Sequence, residues 1–225
     1  MAPLIGISAD LDLCGPENAA HFRLRCHYAE ALARFSAVPV ILPCVEALVP
    51  EFVARFDGFV ISGGMPGVFE TPGRSAFETT LVQTAMFAKR PLLGICNGMQ
   101  IIATCLGGRL VELSPDGVNR HQPANNAGAP AHQLLLDGRI GRLSRLACVG
   151  GLRRLRVNSL HRQAIVASNG AFIVTATAPD GTVEAIEARD CGYCLGVQWH
   201  PEYLLNDLDK AIWRDFVSAC MISRA

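Results

Sequence analysis

Cys96 lies between two glycines in GICNG (94–98), directly after the apolar run PLLGI and directly before a segment of helical periodicity. A cysteine where a strand gives way to a helix is placed for nucleophilic chemistry. The helix N-terminus favours thiolate over thiol, and a turn too tight for side chains at 94 and 98 presents the sulfur instead of burying it. Read as packing, Cys96 leaves both glycines without a reason, whereas Cys105, a small residue in the following segment, needs none. A thiolate nucleophile requires a base that also protonates the leaving group, and histidine suits both tasks near neutral pH. His200, in GVQWHPE, stands at a strand end with Glu202 two residues on. A carboxylate at that offset can hold one ring nitrogen and leave the other for Cys96. His161, in NSLHRQ, is the rival base, but its sequence neighbours supply no such carboxylate. The oxyanion needs backbone N–H donors, for which Gly64 in SGGMPG and Asn97 beside the nucleophile are the candidates.

These residues must be delivered by an α/β framework. PLIGIS (3–8), VPVILP (38–43), FDGFVISGG (56–64) and RPLLGIC (90–96) read as buried strands. They alternate with helical patterns over 21–36 (Leu24, Tyr28, Leu32, Phe35), over 75–89, and from Gly98 to the Gly107–Gly108 stop. Near-continuous apolar strands between helices imply a parallel sheet covered on both faces, with ligands at the strands' carboxyl ends. The second half changes character: RLVEL, HQLLL, LRVNSL, AFIVTATA, TVEAIEA and YCLGVQW are short strand candidates, followed by a helix over 207–220. The stretch 114–130 reads as a polar loop rather than a boundary, so 1–225 is expected to be one domain.

Bulk properties narrow the function classes. The chain has 225 residues, of which 50% are hydrophobic and 18% charged, so it can bury a large core. Its formal net charge of zero argues against nucleic-acid or membrane-surface binding. No apolar run approaches the roughly 20 residues of a membrane span. Nine irregularly spaced cysteines and no signal peptide fit a reducing cytoplasm. CGYC (191–194) lacks the second pair a zinc site needs and runs into a strand, so it is read as structural. Between Gly138 and Pro179 there are seven arginines and no acidic residue. The plainer reading is a solvated face paired with carboxylates elsewhere; the alternative is a docking surface for an acidic partner or anionic substrate.

GICNGMQ together with GVQWHPE resembles the class I glutamine amidotransferase domain, and the closer resemblance is to its gamma-glutamyl-gamma-aminobutyrate hydrolase-like branch. PLIGIS, YAEA followed by VPVILP, DGFVISGG, VNSLHRQAI and APDGTVEAIE carry that second likeness, which spans nearly the whole chain. The resemblance implies a flavodoxin-like α/β fold: a mostly parallel central sheet, helices on both faces and a smaller antiparallel region. It implies Cys96 as nucleophile, His200 as base and Glu202 as its orienter, with no metal or organic cofactor. It further implies that Gln100 holds a glutamyl group and that Asn158, Ser159 and His161 line the same pocket. The chain departs from the branch at Met65–Val68 after the glycine pair, at Asn97 where arginine is common, and at His161-Arg162 where histidines are paired. The expected reaction is hydrolysis of a small-molecule gamma-glutamyl amide. The rivals are a glutaminase subunit supplying ammonia to a separate synthetase, a gamma-glutamyl transferase, and a non-catalytic scaffold. A synthetase or a second copy of the chain are the candidate protein partners.

Overall fold

A computed structural model describes residues 1–13, 19–64, 67–122, 127–137, 141–149, 155–166 and 171–223. In chain order the strands are β1 (Leu4–Ser8), β2 (Asp10–Asp12), β3 (His21–Arg23), β4 (Val38–Leu42), β5 (Gly58–Ile61), β6 (Leu92–Ile95), β7 (Arg109–Glu112), β8 (His132–Leu136), β9 (Leu155–Val157), β10 (Gln163–Val166), β11 (Phe172–Thr177), β12 (Val183–Ala188) and β13 (Cys194–Val197). The helices are α1 (Cys26–Arg34), α2 (Val49–Arg55), α3 (Pro72–Phe87), α4 (Asn97–Cys105), α5 (Pro115–His121), α6 (Arg142–Val149) and α7 (Asp207–Ile222).

Nine strands form one sheet in the order β4-β1-β5-β6-β13-β12-β11-β8-β9. From β4 to β13 every pairing is parallel, and from β13 to β9 every pairing is antiparallel. The expected flavodoxin-like α/β arrangement is therefore present, with the antiparallel extension built by the second half. Strands β1, β5, β6 and β13 are apolar almost throughout because both faces are covered, whereas β4, expected to be buried, is the edge strand and leaves Val38 and Ile41 exposed. Leu93 and Ile95 point into a core with Tyr28, Leu32, Trp213 and Phe216, under α1 and α7. Leu92 and Ile61 point into the opposite core with Phe77, Leu81, Met99 and Ile102, under α3 and α4.

Several local expectations are corrected. Residues 21–25 are not helical: His21–Arg23 pairs antiparallel with Asp10–Asp12, and the helix begins at Cys26. The stretch read as a polar loop contains α5, started by Pro115 and capped by Ser114, whose hydroxyl accepts the Gly117 N–H. QAIV (163–166) is a strand, paired with β7 in a separate two-stranded ladder. No helix among the described residues is long and apolar enough to cross a membrane. Within the arginine-rich stretch, Arg142 pairs with Asp215 and Arg162 with Glu70, as the plainer reading expected, while Arg139, Arg153 and Arg154 lie outside the described residues.

Candidate active site

Strand register decides which residues meet. In the parallel β6–β13 pair, Ile95 is opposite Val197, so Cys96 and the segment 198–200 leave the sheet at the same carboxyl edge. In the β5–β6 pair Ile61 is opposite Gly94, which brings the loop 62–64 alongside Cys96. The turn at Cys96 is as sharp as its glycines suggested. Cys96 has φ 53° and ψ −107°, a positive-φ conformation uncommon for a residue with a side chain and typical of strained functional turns. A Cβ on Gly94 would lie 2.7 Å from the Gly98 carbonyl, and one on Gly98 would collide with the Ile61 carbonyl. Both positions therefore exclude side chains for backbone reasons.

His200 reaches the same point from β13. Its Nδ1 lies 2.7 Å from Glu202 Oε1, and its Nε2 is buried without a hydrogen-bond partner. A Cβ on Gly63 would come within 3.0 Å of His200 Cε1 and 3.1 Å of Cys96 Cβ, so the ring and the Cys96 side chain flank one small space. Burial pushes the His200 pKa down, but the Glu202 charge and the Cys96 thiol outweigh it and raise the value to about 10. An imidazolium held between a carboxylate and a thiol is suited to stabilise a thiolate and to donate a proton.

Tyr28, Arg74, Ser8 and Trp199 support the site and were not foreseen as part of it. Tyr28, read as a face of α1, accepts the Gly63 N–H on its hydroxyl at 2.9 Å. Beneath the same loop, buried Arg74 donates to the Ser62 carbonyl at 2.9 Å and to Glu78 at 3.0 Å, and also pairs with Asp10. Ser8 closes this network, donating to Glu78 at 2.6 Å and accepting the Ser62 N–H at 3.0 Å. Trp199 donates to Asp209 at 2.9 Å, which anchors the WHPE turn to the capping box of α7.

Gly64 and Asn97, the residues expected to supply the oxyanion donors, are joined by a side-chain contact. Asn97 opens α4, and its side chain donates to the Gly64 carbonyl at 3.0 Å, joining the two loops. Gly64 has no room for a Cβ, which would strike Arg74 and Asp10. Gly64, Asn97, Gln100 and His161 line one narrow cavity of about 20 Å³, with Arg162 and Gln163 at its wall. The Gln100 amide already donates to the Gln163 carbonyl at 3.0 Å and to Gln198 Oε1 at 3.1 Å, while its Oε1 has no partner. Asn158 and Ser159 are turned elsewhere. Asn158 brackets the His200 peptide, and the Ser159 hydroxyl donates to the His121 carbonyl at 2.6 Å. His161 does have a carboxylate near it, contrary to expectation: Glu184 of β12, 3.5 Å from its Nε2.

Fold and comparisons define the class as an amidotransferase-like hydrolase. The chain belongs to the Peptidase C26 family, whose model matches residues 3–202. It is 27% identical to the gamma-glutamyl-gamma-aminobutyrate hydrolase of Escherichia coli, over 86% of this chain and 84% of that one. It is also 27% identical to a glutamine amidotransferase-like protein of Rickettsia prowazekii, over 96% and 97% of the two chains. The crystal structure of a GMP synthase-type protein from Thermoplasma acidophilum superposes with a TM-score of 0.72 at 20% identity, covering 100% of this chain and 97% of that one, a likeness of fold.

Proposed function

We propose that the protein hydrolyses a gamma-glutamyl amide through a glutamyl thioester on Cys96. The observation that carries this reading is the His200–Glu202 contact of 2.7 Å, which leaves a buried, unpartnered His200 Nε2 beside a strained Cys96. The Cys96 thiolate attacks the delta-carbonyl carbon, and the Gly64 and Asn97 N–H groups receive the developing oxyanion. His200 gives its proton to the departing amine. It then takes a proton from water, whose attack on the thioester releases glutamate and restores the thiolate beside the imidazolium. Each oxyanion donor is worth about 2.7–4 kcal/mol of transition-state stabilisation. Glu202 fixes the ring orientation and holds its charge.

The substrate class rests on the family and on the relative that hydrolyses a gamma-glutamyl compound. The test is glutamate release by the protein alone from glutamine and a panel of gamma-glutamyl amines. The expected result is release from a gamma-glutamyl amine exceeding that from glutamine. Release from glutamine alone, rising on addition of a synthetase, would instead favour an ammonia-supplying role.

A further inference from the structure

Behind the cavity wall, four side chains from four parts of the chain converge on one point. His121 ends α5, His132 opens β8, His161 follows β9 and Glu184 lies on β12. Glu184 Oε1 is 3.4 Å from His121 Nδ1, 3.3 Å from His132 Nε2 and 3.5 Å from His161 Nε2, and none of these approaches has hydrogen-bond alignment. The four ligand atoms lie within 4.8 Å of one another. Glu184, His121 and His161 are buried, and His132 stands at the edge.

The outer nitrogens of the rings fix the character of the inner ones. His121 Nε2 is 3.0 Å from Asp180 Oδ2, His132 Nδ1 is 3.1 Å from the Gln133 carbonyl, and His161 Nδ1 is 2.9 Å from the Gln163 carbonyl. Ionised carboxylates and carbonyls only accept, so each outer nitrogen carries a proton. A neutral ring then has a bare lone pair on its inner nitrogen. Three lone pairs would face a carboxylate whose two oxygens are themselves buried without partners. That arrangement is repulsive unless positive charge sits at its centre. Protonating the rings would supply charge, but it would crowd cations whose ring centroids are 4.7 Å apart.

We propose that His121, His132, His161 and Glu184 bind one divalent first-row transition-metal ion, with zinc the best fit. Ligand atoms about 2.0–2.1 Å from a tetrahedral zinc lie about 3.3–3.4 Å from one another. The three separations from Glu184 Oε1 match that edge. Imidazoles with one carboxylate suit such metals rather than calcium or magnesium, which prefer all-oxygen sets. The acceptors on the outer nitrogens are the partners that orient metal-binding histidines. A cavity of about 410 Å³ bordered by His121, His132, Ala178 and Asp180 gives the ion a route in.

Four protein ligands close a tetrahedral shell, so the ion is structural. It ties α5 to the 158–161 turn, where the Ser159 hydroxyl and the His161 N–H both donate to the His121 carbonyl, at 2.6 and 3.0 Å. The same turn carries Asn158 to His200. The metal thereby braces the candidate base from behind without touching substrate.

The test is metal content of the tag-free full-length protein by elemental mass spectrometry after dialysis, followed by cobalt(II) titration read by visible absorption. The expected result is about one zinc-type equivalent per chain in the wild type and in Cys191→Ser, and intense tetrahedral cobalt bands. His132→Ala, at the edge of the cluster, should weaken binding by at least the roughly tenfold that loss of an outer partner costs. A wild type that takes up neither zinc nor cobalt at tens of micromolar overturns the site. So does metal retained undiminished in both His132→Ala and Glu184→Gln. The readout is metal, so it stands apart from the reaction proposed for Cys96.

Discussion

Asn158 holds the His200 peptide from both sides: its Oδ1 accepts the His200 N–H at 2.9 Å, and its Nδ2 donates to the His200 carbonyl at 3.1 Å. A side chain expected to touch substrate is instead the clamp on the residue proposed as base. Asn158→Ala should lower kcat by about 10–100-fold with little change in KM, because an ångström of misplacement at a reacting group is costly. It should also cost about 1–3 kcal/mol of stability by stranding buried polar groups. A large KM effect with kcat intact, measured by steady-state kinetics, would return Asn158 to the substrate pocket.

Gly98 and Gly192 make a paired test of the turn. A methyl at 98 meets the Ile61 carbonyl, which belongs to the sheet and has little freedom to move, whereas one at 192 meets nothing within 4 Å. Gly98→Ala is expected to destabilise by about 3 kcal/mol or more, as backbone overpacking does. Gly192→Ala should be neutral or slightly stabilising. Chemical denaturation of the two variants checks the contrast, and equal effects would contradict it.

The raised pKa of His200 sets a pH dependence. Against an unfolded value of about 6.5, the folded value of about 10 means its stabilising protonation is fully present below pH 6.5 and lost as pH rises through about 10. If the imidazolium is the leaving-group acid, kcat/KM should fall on the same alkaline side. Glu202→Gln removes the largest influence raising that pKa and should move the alkaline limb to lower pH. An unmoved limb would mean another group controls it.

Arg162, at the wall of the narrow cavity, pairs with Glu70, and each side chain is about 40% exposed. An exposed pair contributes about 1 kcal/mol or less, equivalent to a shift of up to about fivefold in an opening equilibrium. Glu70→Ala should therefore accelerate Cys96 modification by a glutamine-like electrophile by up to about that factor. Slower modification would show that the pair organises the site instead of narrowing it.

The sequence revealed the parts of this protein whose chemistry is local. Cys96 with Gly94 and Gly98, and His200 with Glu202, are short-range patterns, and each glycine proves to be excluded from bearing a side chain by backbone. The parallel core was legible because strands buried on both faces are apolar throughout. What stayed hidden depends on register and long-range pairing. Nothing in the sequence around Arg74 and Glu78 signals their burial, and only the fold places them under the 62–64 loop. His121, His132, His161 and Glu184 have no ligand-like spacing and come from four separate elements, so no motif could announce the cluster. The helix over 115–121 was masked by a polar composition that also suits a loop.

The most direct measurement is intact-protein and peptide mass spectrometry of enzyme quenched during turnover of a gamma-glutamyl amide. Cys191 must be resolved from Cys96, since the hydrogen bond with Cys194 lowers its pKa to about 7 and a lowered thiol pKa favours modification. The expected result is a glutamyl adduct on the peptide carrying Cys96, absent in Cys96→Ala, whose turnover is abolished while its fold persists. Turnover by Cys96→Ala near the wild-type rate, or a glutamyl adduct confined to another residue, would contradict a thioester on Cys96.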